Sequence, residues 1–133
     1  MAGALARAGD TQAAQATFAT ARAVAETIAD PDKRAWALRE VAGALVRAGR
    51  WDDARAVAAT IADPDKRAGA LREVAGALAQ AGDTQAAQAT FAAARAVAET
   101  IADPDKRAGA LQAVAGALAQ AGRWDDADRK SVV

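Results

Sequence analysis

Apolar side chains recur three and four residues apart along this chain, which is the spacing of a helix with one buried side. Between Asp63 and Gly82 these positions are Leu71, Val74, Ala75 and Leu78. Asp63 is a preferred N-cap, Pro64 suits the first helical position, and Gly82 is the residue type that ends helices in a left-handed conformation. No segment alternates with a period of two, so we expect an all-α protein.

The octapeptide IADPDKRA occurs three times, beginning at Ile28, Ile61 and Ile101. Each copy leads into a segment with the same start and stop signals, and we expect the equivalent helices over 30–49 and 103–122. The repeated aspartates are therefore interpreted as helix starts rather than as metal-binding or catalytic carboxylates.

The segment that precedes each octapeptide varies in length. Its long form is DTQAAQATFAAARAVAETI and its short form is RWDDARAVAATI, so the copies lie 33 and then 40 residues apart. The seven extra residues make about two helical turns, which keeps the apolar side in place. Phe18, Trp51 and Phe91 each stand ten residues before an octapeptide and predict one retained aromatic position. The repeating unit is thus a pair of helices.

The repeats predict a single array over residues 1–133. It consists of an incomplete pair 1–29, complete pairs 30–62 and 63–102, and an incomplete pair 103–133. In the first of these, residues 1–9 match the second half of a first helix, which we expect to end at Gly9. The expected architecture is an α-solenoid of stacked antiparallel helix pairs, with apolar positions exposed at both ends.

The segment VAGALVRAGRWDDA, from Val41 to Ala54, resembles the tetratricopeptide-repeat pattern L-G-x-x-Y-x-x-x-G-x-(aromatic)-x-x-A. Leu38 and Leu45 stand at core positions of the first helix in that pattern, and Pro64 stands for its closing proline. The resemblance implies stacked helix pairs and a concave groove, lined by the first helices, that binds extended or helical peptides. The family period is about 34 residues, whereas this chain alternates 33 and 40.

The three first helices differ from one another at only five positions, four of which correspond to groove positions of that family. The candidate groove residues, taken from these varying positions, are Trp36, Arg39, Glu40, Val46, Arg47, Arg72, Gln80, Gln112 and Gln120. Neutral drift on an exposed surface is the alternative interpretation. Against drift, Asp32, Lys33 and Arg34 have identical counterparts in all three octapeptides.

Trp36 is the most informative of these positions, because the other two repeats have glycine there. An exposed tryptophan near Arg39 and Arg47 has the composition of a binding hot spot. The alternative is that Trp36 packs over the incomplete first pair.

Glycine also recurs inside the helices, at Gly43, Gly76 and Gly116. Glycine destabilises a helix interior by about 1 kcal/mol relative to alanine. Its recurrence therefore indicates that another backbone approaches closely, either from a ligand or from the neighbouring helix.

Composition limits the function. Hydrophobic residues make up 53% of the chain, mostly alanine, so the core must come from close helix packing. The 17 basic and 17 acidic residues give no net charge, and we expect no nucleic-acid partner. No apolar run is long enough to span a membrane, so we expect no membrane partner and a cytoplasmic location. Without histidine, cysteine or tyrosine we expect no catalytic residues, no metal site and no cofactor.

The resulting hypothesis is a non-catalytic protein–protein interaction module, or scaffold, that binds a peptide or protein in its groove. The alternative is a structural repeat that assembles with itself head to tail, as an oligomer or filament, through its terminal helices. Such a chain would also fit a piece of a longer array, natural or consensus-designed.

Overall fold

The computed structural model describes the backbone of residues 2–131 and the side chains of residues 11–124, and this part of the chain forms only helices. They are α1 (Ala2–Glu26), α2 (Pro31–Arg47), α3 (Trp51–Ala59), α4 (Pro64–Gln80), α5 (Thr84–Glu99) and α6 (Pro104–Ser131). The predicted all-α class is confirmed. None of the helices in the described part is both long and apolar enough to cross a membrane.

The octapeptide forms the junction that starts α2, α4 and α6. A carboxylate oxygen of Asp30 accepts a hydrogen bond from the backbone N–H of Asp32 at 2.9 Å, and Asp63 and Asp103 cap their helices in the same way. A proline follows each cap in the first turn. The aspartates are therefore helix starts, as the sequence predicts.

A second contact in the junction explains why its arginine is repeated. A guanidinium N–H donates back to the carbonyl of the octapeptide's first residue, at 2.9 Å from Arg34 to Ile28, 3.0 Å from Arg67 to Ile61 and 3.1 Å from Arg107 to Ile101. The bond fixes the loop against the helix that follows it. Because Ile61 and Ile101 are buried, the same residues also anchor the junction to the core.

The helices α2 and α4 end at glycines with a left-handed backbone. The φ angles are 74° at Gly49 and 91° at Gly82. In each case the following residue donates its N–H to a leucine carbonyl, from Arg50 to Leu45 at 2.8 Å and from Asp83 to Leu78 at 3.0 Å. These bonds form the Schellman motif, which satisfies carbonyls left over at a helix end. The two helix ends predicted at these glycines are confirmed.

Two other predicted helix ends are wrong. The first helix continues through Gly9 to Glu26, and the last continues through Gly122 to Ser131. Each terminal incomplete pair therefore consists of one long helix in place of a helix, a turn and a second helix.

At Gly122 the cause lies outside the turn sequence, because AGRWDDA is present at both Gly49 and Gly122. After the first copy the chain supplies Val57 and Ala58, which are buried and hold α3 on the core. After the second copy the sequence is DRKSVV, which has no equivalent apolar positions. Without a packed second helix to stabilise the left-handed turn at Gly122, the chain continues as a helix, in which the backbone hydrogen bonds are made within the segment itself.

The helices pack mainly on neighbours in chain order, and in addition α2 contacts α4 and α4 contacts α6. The most extensive pairing is that of α4 with α5. The largest fully buried side chains are Phe91, Ile61, Leu78 and Val57, and most of the remaining core is alanine. Phe91 fills the predicted aromatic position completely, whereas Phe18 and Trp51 pack against the core and remain partly exposed.

Candidate binding face

The helices α2, α4 and α6 are the first helices of their pairs, and together they contain every residue of the predicted site. We call the outward surface of these three helices the α2–α4–α6 face. Two clefts between the described residues of this face meet at Arg39. Trp36 lies at one edge of the face with 66% of its surface exposed and is not among the side chains that pack on the core.

The larger cleft, of about 400 Å³, lies between α4 and α6 and reaches α2 at Arg39. Its charged lining residues are Arg39, Asp65, Lys66, Arg72 and Lys106. The smaller cleft, of about 150 Å³, lies between α2 and α4, where it is lined by Arg39, Val46, Arg47 and Glu73 among others. The structure thus brings together four of the predicted site residues. The others, Trp36, Glu40, Gln80, Gln112 and Gln120, lie on the same helices but outside both clefts.

Arg39 is bound to an acidic residue on the next helix. Its Nε donates to a carboxylate oxygen of Glu73 at 3.0 Å, and its Nη2 donates to the other oxygen. The hydrogen bond from Arg39 to Glu73 raises the pKa of the guanidinium above its usual value. This ion pair links α2 to α4, and the carboxylate of Glu73 balances the positive charge of Arg39.

Arg72 occupies the same place on α4 but has no such partner. The residue on α6 that corresponds to Glu73 is Ala113, whose side chain cannot pair with an arginine. Within the described residues the Arg72 side chain forms no hydrogen bond and no ion pair. One repeat therefore neutralises its arginine, and the next repeat presents its arginine unpaired in the larger cleft.

The two lysines of this cleft show the same difference. Lys66 forms an ion pair with Asp32 of α2. The hydrogen bond between them lowers the pKa of Asp32 and raises the pKa of Lys66. The side chain of Lys106 pairs with no acidic residue in the described part of the chain. The cleft therefore combines two paired and two unpaired cations with the single carboxylate of Asp65.

The glycines of this face have free space where a side chain would stand. A Cβ atom built at Gly69, Gly76, Gly109 or Gly116 would have no non-local atom within 4 Å. At Gly43 the nearest such atom is Nη1 of Arg47, at 3.6 Å, on the same helix. The explanation that a neighbouring helix requires these glycines is wrong. Because glycine has no side chain, these positions form a strip along the face where the helix backbone is not covered by side chains.

Comparison of the three repeats with one another did not select Lys66, Lys106 or Glu73 as candidate groove residues. The lysines belong to the identical octapeptides, so a search for differences between repeats passes over them. Helical spacing contains the missing signal, because Lys66, Gly69, Arg72 and Gly76 recur three and four residues apart on one side of α4. Glu73 stands at a varying position, but its pairing with Arg39 depends on how two helices are placed.

In the described residues no cluster of three or more acidic side chains is arranged to hold a metal ion. No protein-family model matches the chain, and no curated protein or solved structure is similar enough to count as a match. The geometry of the face is thus the basis for a functional conclusion.

Proposed function

We propose that this chain is a non-catalytic interaction module, built as a tetratricopeptide-like α-solenoid, whose concave side is the α2–α4–α6 face. Its ligand is an extended or helical segment of a protein that carries acidic side chains. The ligand crosses the three helices, with Arg72 and Lys106 as its main charge contacts and Trp36 as an apolar anchor at the edge.

The observation that carries this proposal is the unpaired guanidinium of Arg72. An arginine can make two parallel hydrogen bonds to one carboxylate, and Arg39 shows this geometry with Glu73. In the next repeat the carboxylate is missing and the cleft is open. A carboxylate from a ligand can therefore take the place that Glu73 occupies one repeat earlier.

Two further features support a peptide as the ligand. The uncovered backbone at Gly69, Gly76 and Gly109 lets another chain approach the helices closely. Trp36 supplies apolar area on the same surface while remaining outside the core, and aromatic residues of this kind contribute disproportionately to binding.

The test supplies Arg72 with an internal partner. Ala113→Glu places at α6 the residue that its own repeats already have at Glu40 and Glu73, so the helix tolerates it. A random peptide library is selected on the wild-type protein, and the best peptide is titrated against both proteins by fluorescence anisotropy. We expect wild-type selection to enrich aspartate and glutamate. We expect Ala113→Glu to weaken binding by about 10- to 100-fold, since a hydrogen bond to a charged group contributes about 1.5–3 kcal/mol.

Ala119→Val is the matched control, because it also transfers a residue between repeats, from the position of Val46, but lies outside both clefts. It should leave the affinity unchanged. Trp36→Ala, in the same titration, should weaken binding through loss of apolar contact. Selection of basic or uncharged peptides, or equal affinity for wild type and Ala113→Glu, would show that the face has been assigned wrongly.

A further inference from the structure

The helices α1 and α6 repeat, with few differences, the sequences of two helices that pack on each other inside the same molecule. Those two helices are α5 and α4, and their interface is the most extensive helix pairing in the described structure. On α5 it buries Ala87, Thr90, Phe91 and Ala94, and on α4 it belongs to a core containing Leu71, Ala75 and Leu78.

The first side is repeated in α1. Residues 10–29 and 83–102 are identical except at Thr20, where the second copy has Ala93. The counterparts of the buried positions Ala87, Thr90 and Ala94 are nevertheless all exposed, and these counterparts are Ala14, Thr17 and Ala21. Val24 is also 58% exposed. The helix α1 thus has the sequence of α5 without the helix that covers α5.

The second side is repeated in α6. Residues 104–122 and 64–82 are identical except at Gln112 and Ala113. Leu118, the counterpart of the fully buried Leu78, is 40% exposed. Ala108 and Ala115 are exposed as well, whereas their counterparts on α4 are buried. The helix α6 therefore has the sequence of α4 without the helix that covers α4.

From these two faces we infer that copies of this chain associate head to tail, with α6 of one copy packed antiparallel on α1 of the next, as α4 packs on α5. The packing of α4 on α5 identifies the partner of each exposed face. A helix with the sequence of α5 is covered by one with the sequence of α4, so α1 and α6 of separate copies are each other's partners. Since one end of a copy binds the opposite end of another, the contact is heterologous and can be repeated without closing.

The polar groups of α1 are already arranged for burial. Thr17 donates its hydroxyl to the carbonyl of Ala13 at 2.8 Å, and the buried Thr90 makes the equivalent bond to Ala86 at the same distance. Covering α1 would therefore leave no hydroxyl unsatisfied, which is the usual obstacle to burying threonine.

The long terminal helices fit the same geometry. In the antiparallel pair of α4 and α5, the C-terminal end of α4 lies beside the N-terminal end of α5. The part of α6 beyond Gly122 and the part of α1 before Asp10 would therefore leave the new pair at the same end. The two extensions would run side by side, and no connecting turn is required between two separate chains.

The test uses one variant for each face. Leu118→Glu places a charge on the exposed leucine of α6, and Ala21→Arg places one on the α1 position whose counterpart, Ala94, is fully buried. Both positions are exposed in the single copy, so each variant should keep its helical circular dichroism spectrum. By light scattering from micromolar to millimolar protein, we expect the wild-type mass to rise with concentration and each variant to remain monomeric.

Mixing the two variants gives the sharpest result. Leu118→Glu retains an intact α1 face and Ala21→Arg retains an intact α6 face, so the mixture should form one-to-one dimers that cannot grow. The controls are Ala16→Arg, at a position exposed in both copies of its helix, and Ala113→Glu, which faces α4. Both should assemble like the wild type.

A wild-type protein that stays monomeric at every concentration overturns the inference, as does a mixture that forms no dimer. Assembly that survives both variants would overturn it too, by showing that another surface is used. The binding proposal is tested separately, because Ala113→Glu affects peptide affinity and leaves assembly intact, whereas Leu118→Glu does the reverse.

Discussion

Glycine occurs in two different backbone conformations in this chain, and single residues show the difference. Gly49 and Gly82 have positive φ angles and end their helices. Gly76 lies in the middle of α4 with a helical backbone and open space where a Cβ atom would stand. The first kind is required by backbone conformation. At the second kind of position the fold itself does not require glycine, because a Cβ atom there would meet no neighbouring atom.

We predict opposite effects of alanine at these two kinds of position. Gly76→Ala should raise the free energy of unfolding by about 0.5–1 kcal/mol. Alanine lowers the backbone entropy of the unfolded chain, and its Cβ atom would meet no neighbouring atom in the folded state. Gly82→Ala should lower the free energy of unfolding by about 1–2 kcal/mol, because a Cβ atom is unfavourable in a left-handed conformation. Urea denaturation of both variants beside the wild type measures the two changes. Destabilisation by Gly76→Ala would show that the fold does need this glycine.

The same scale shows what sequence reasoning can and cannot predict of the site. The glycine counterparts of Trp36 show that the core does not need a large side chain there. They left open whether Trp36 is exposed or packs over the incomplete first pair, and the structure shows it exposed. The difference between Arg39 and Arg72 did not follow from the sequence, because both are arginines at equivalent positions. It depends on a residue of the adjacent first helix, Glu73 in one case and Ala113 in the other, and helix placement decides that they meet.

At the scale of the helices, local signals predicted the starts of α2, α4 and α6 and two of the four helix ends expected at glycines. An N-cap aspartate followed by proline begins α2, α4 and α6 in the structure as in the sequence. Ends depend on more than the local signal, since the same AGRWDDA segment turns at Gly49 and continues as a helix at Gly122. The packing of the following helix decides between the two outcomes.

This dependence predicts that the second turn can be restored. Replacing the segment DRKSVV after Ala127 by RAVAATI supplies the positions equivalent to Val57, Ala58 and Ile61, which are buried in the first copy. We expect Gly122 to adopt a positive φ and a new short helix to pack on α6. Backbone chemical shifts by nuclear magnetic resonance report both changes. A polar segment of equal length is the control, and it should leave the helix continuous.

At the scale of the whole molecule, the described part of the proposed solenoid has two well-packed central pairs, and the apolar sides of α1 and α6 are exposed. Because each element packs mainly on its neighbours, stability in such an array is a sum of local terms, and an unpaired end contributes least. The α2–α4–α6 face lies on the first helices, whereas the contact between copies uses the apolar sides of α1 and α6. The two proposed functions therefore occupy different surfaces and can operate in the same assembly.

Association through the ends should make stability depend on concentration, because a partner that binds only the folded state stabilises it. We predict that the thermal midpoint of the wild-type protein rises with protein concentration, while that of Leu118→Glu stays constant. The rise should come mainly from α1 and α6, so hydrogen exchange at high concentration should slow there and change little in α4 and α5. Circular dichroism melts over a concentration series measure the first effect. A constant wild-type midpoint would mean that the exposed faces of α1 and α6 remain uncovered in solution.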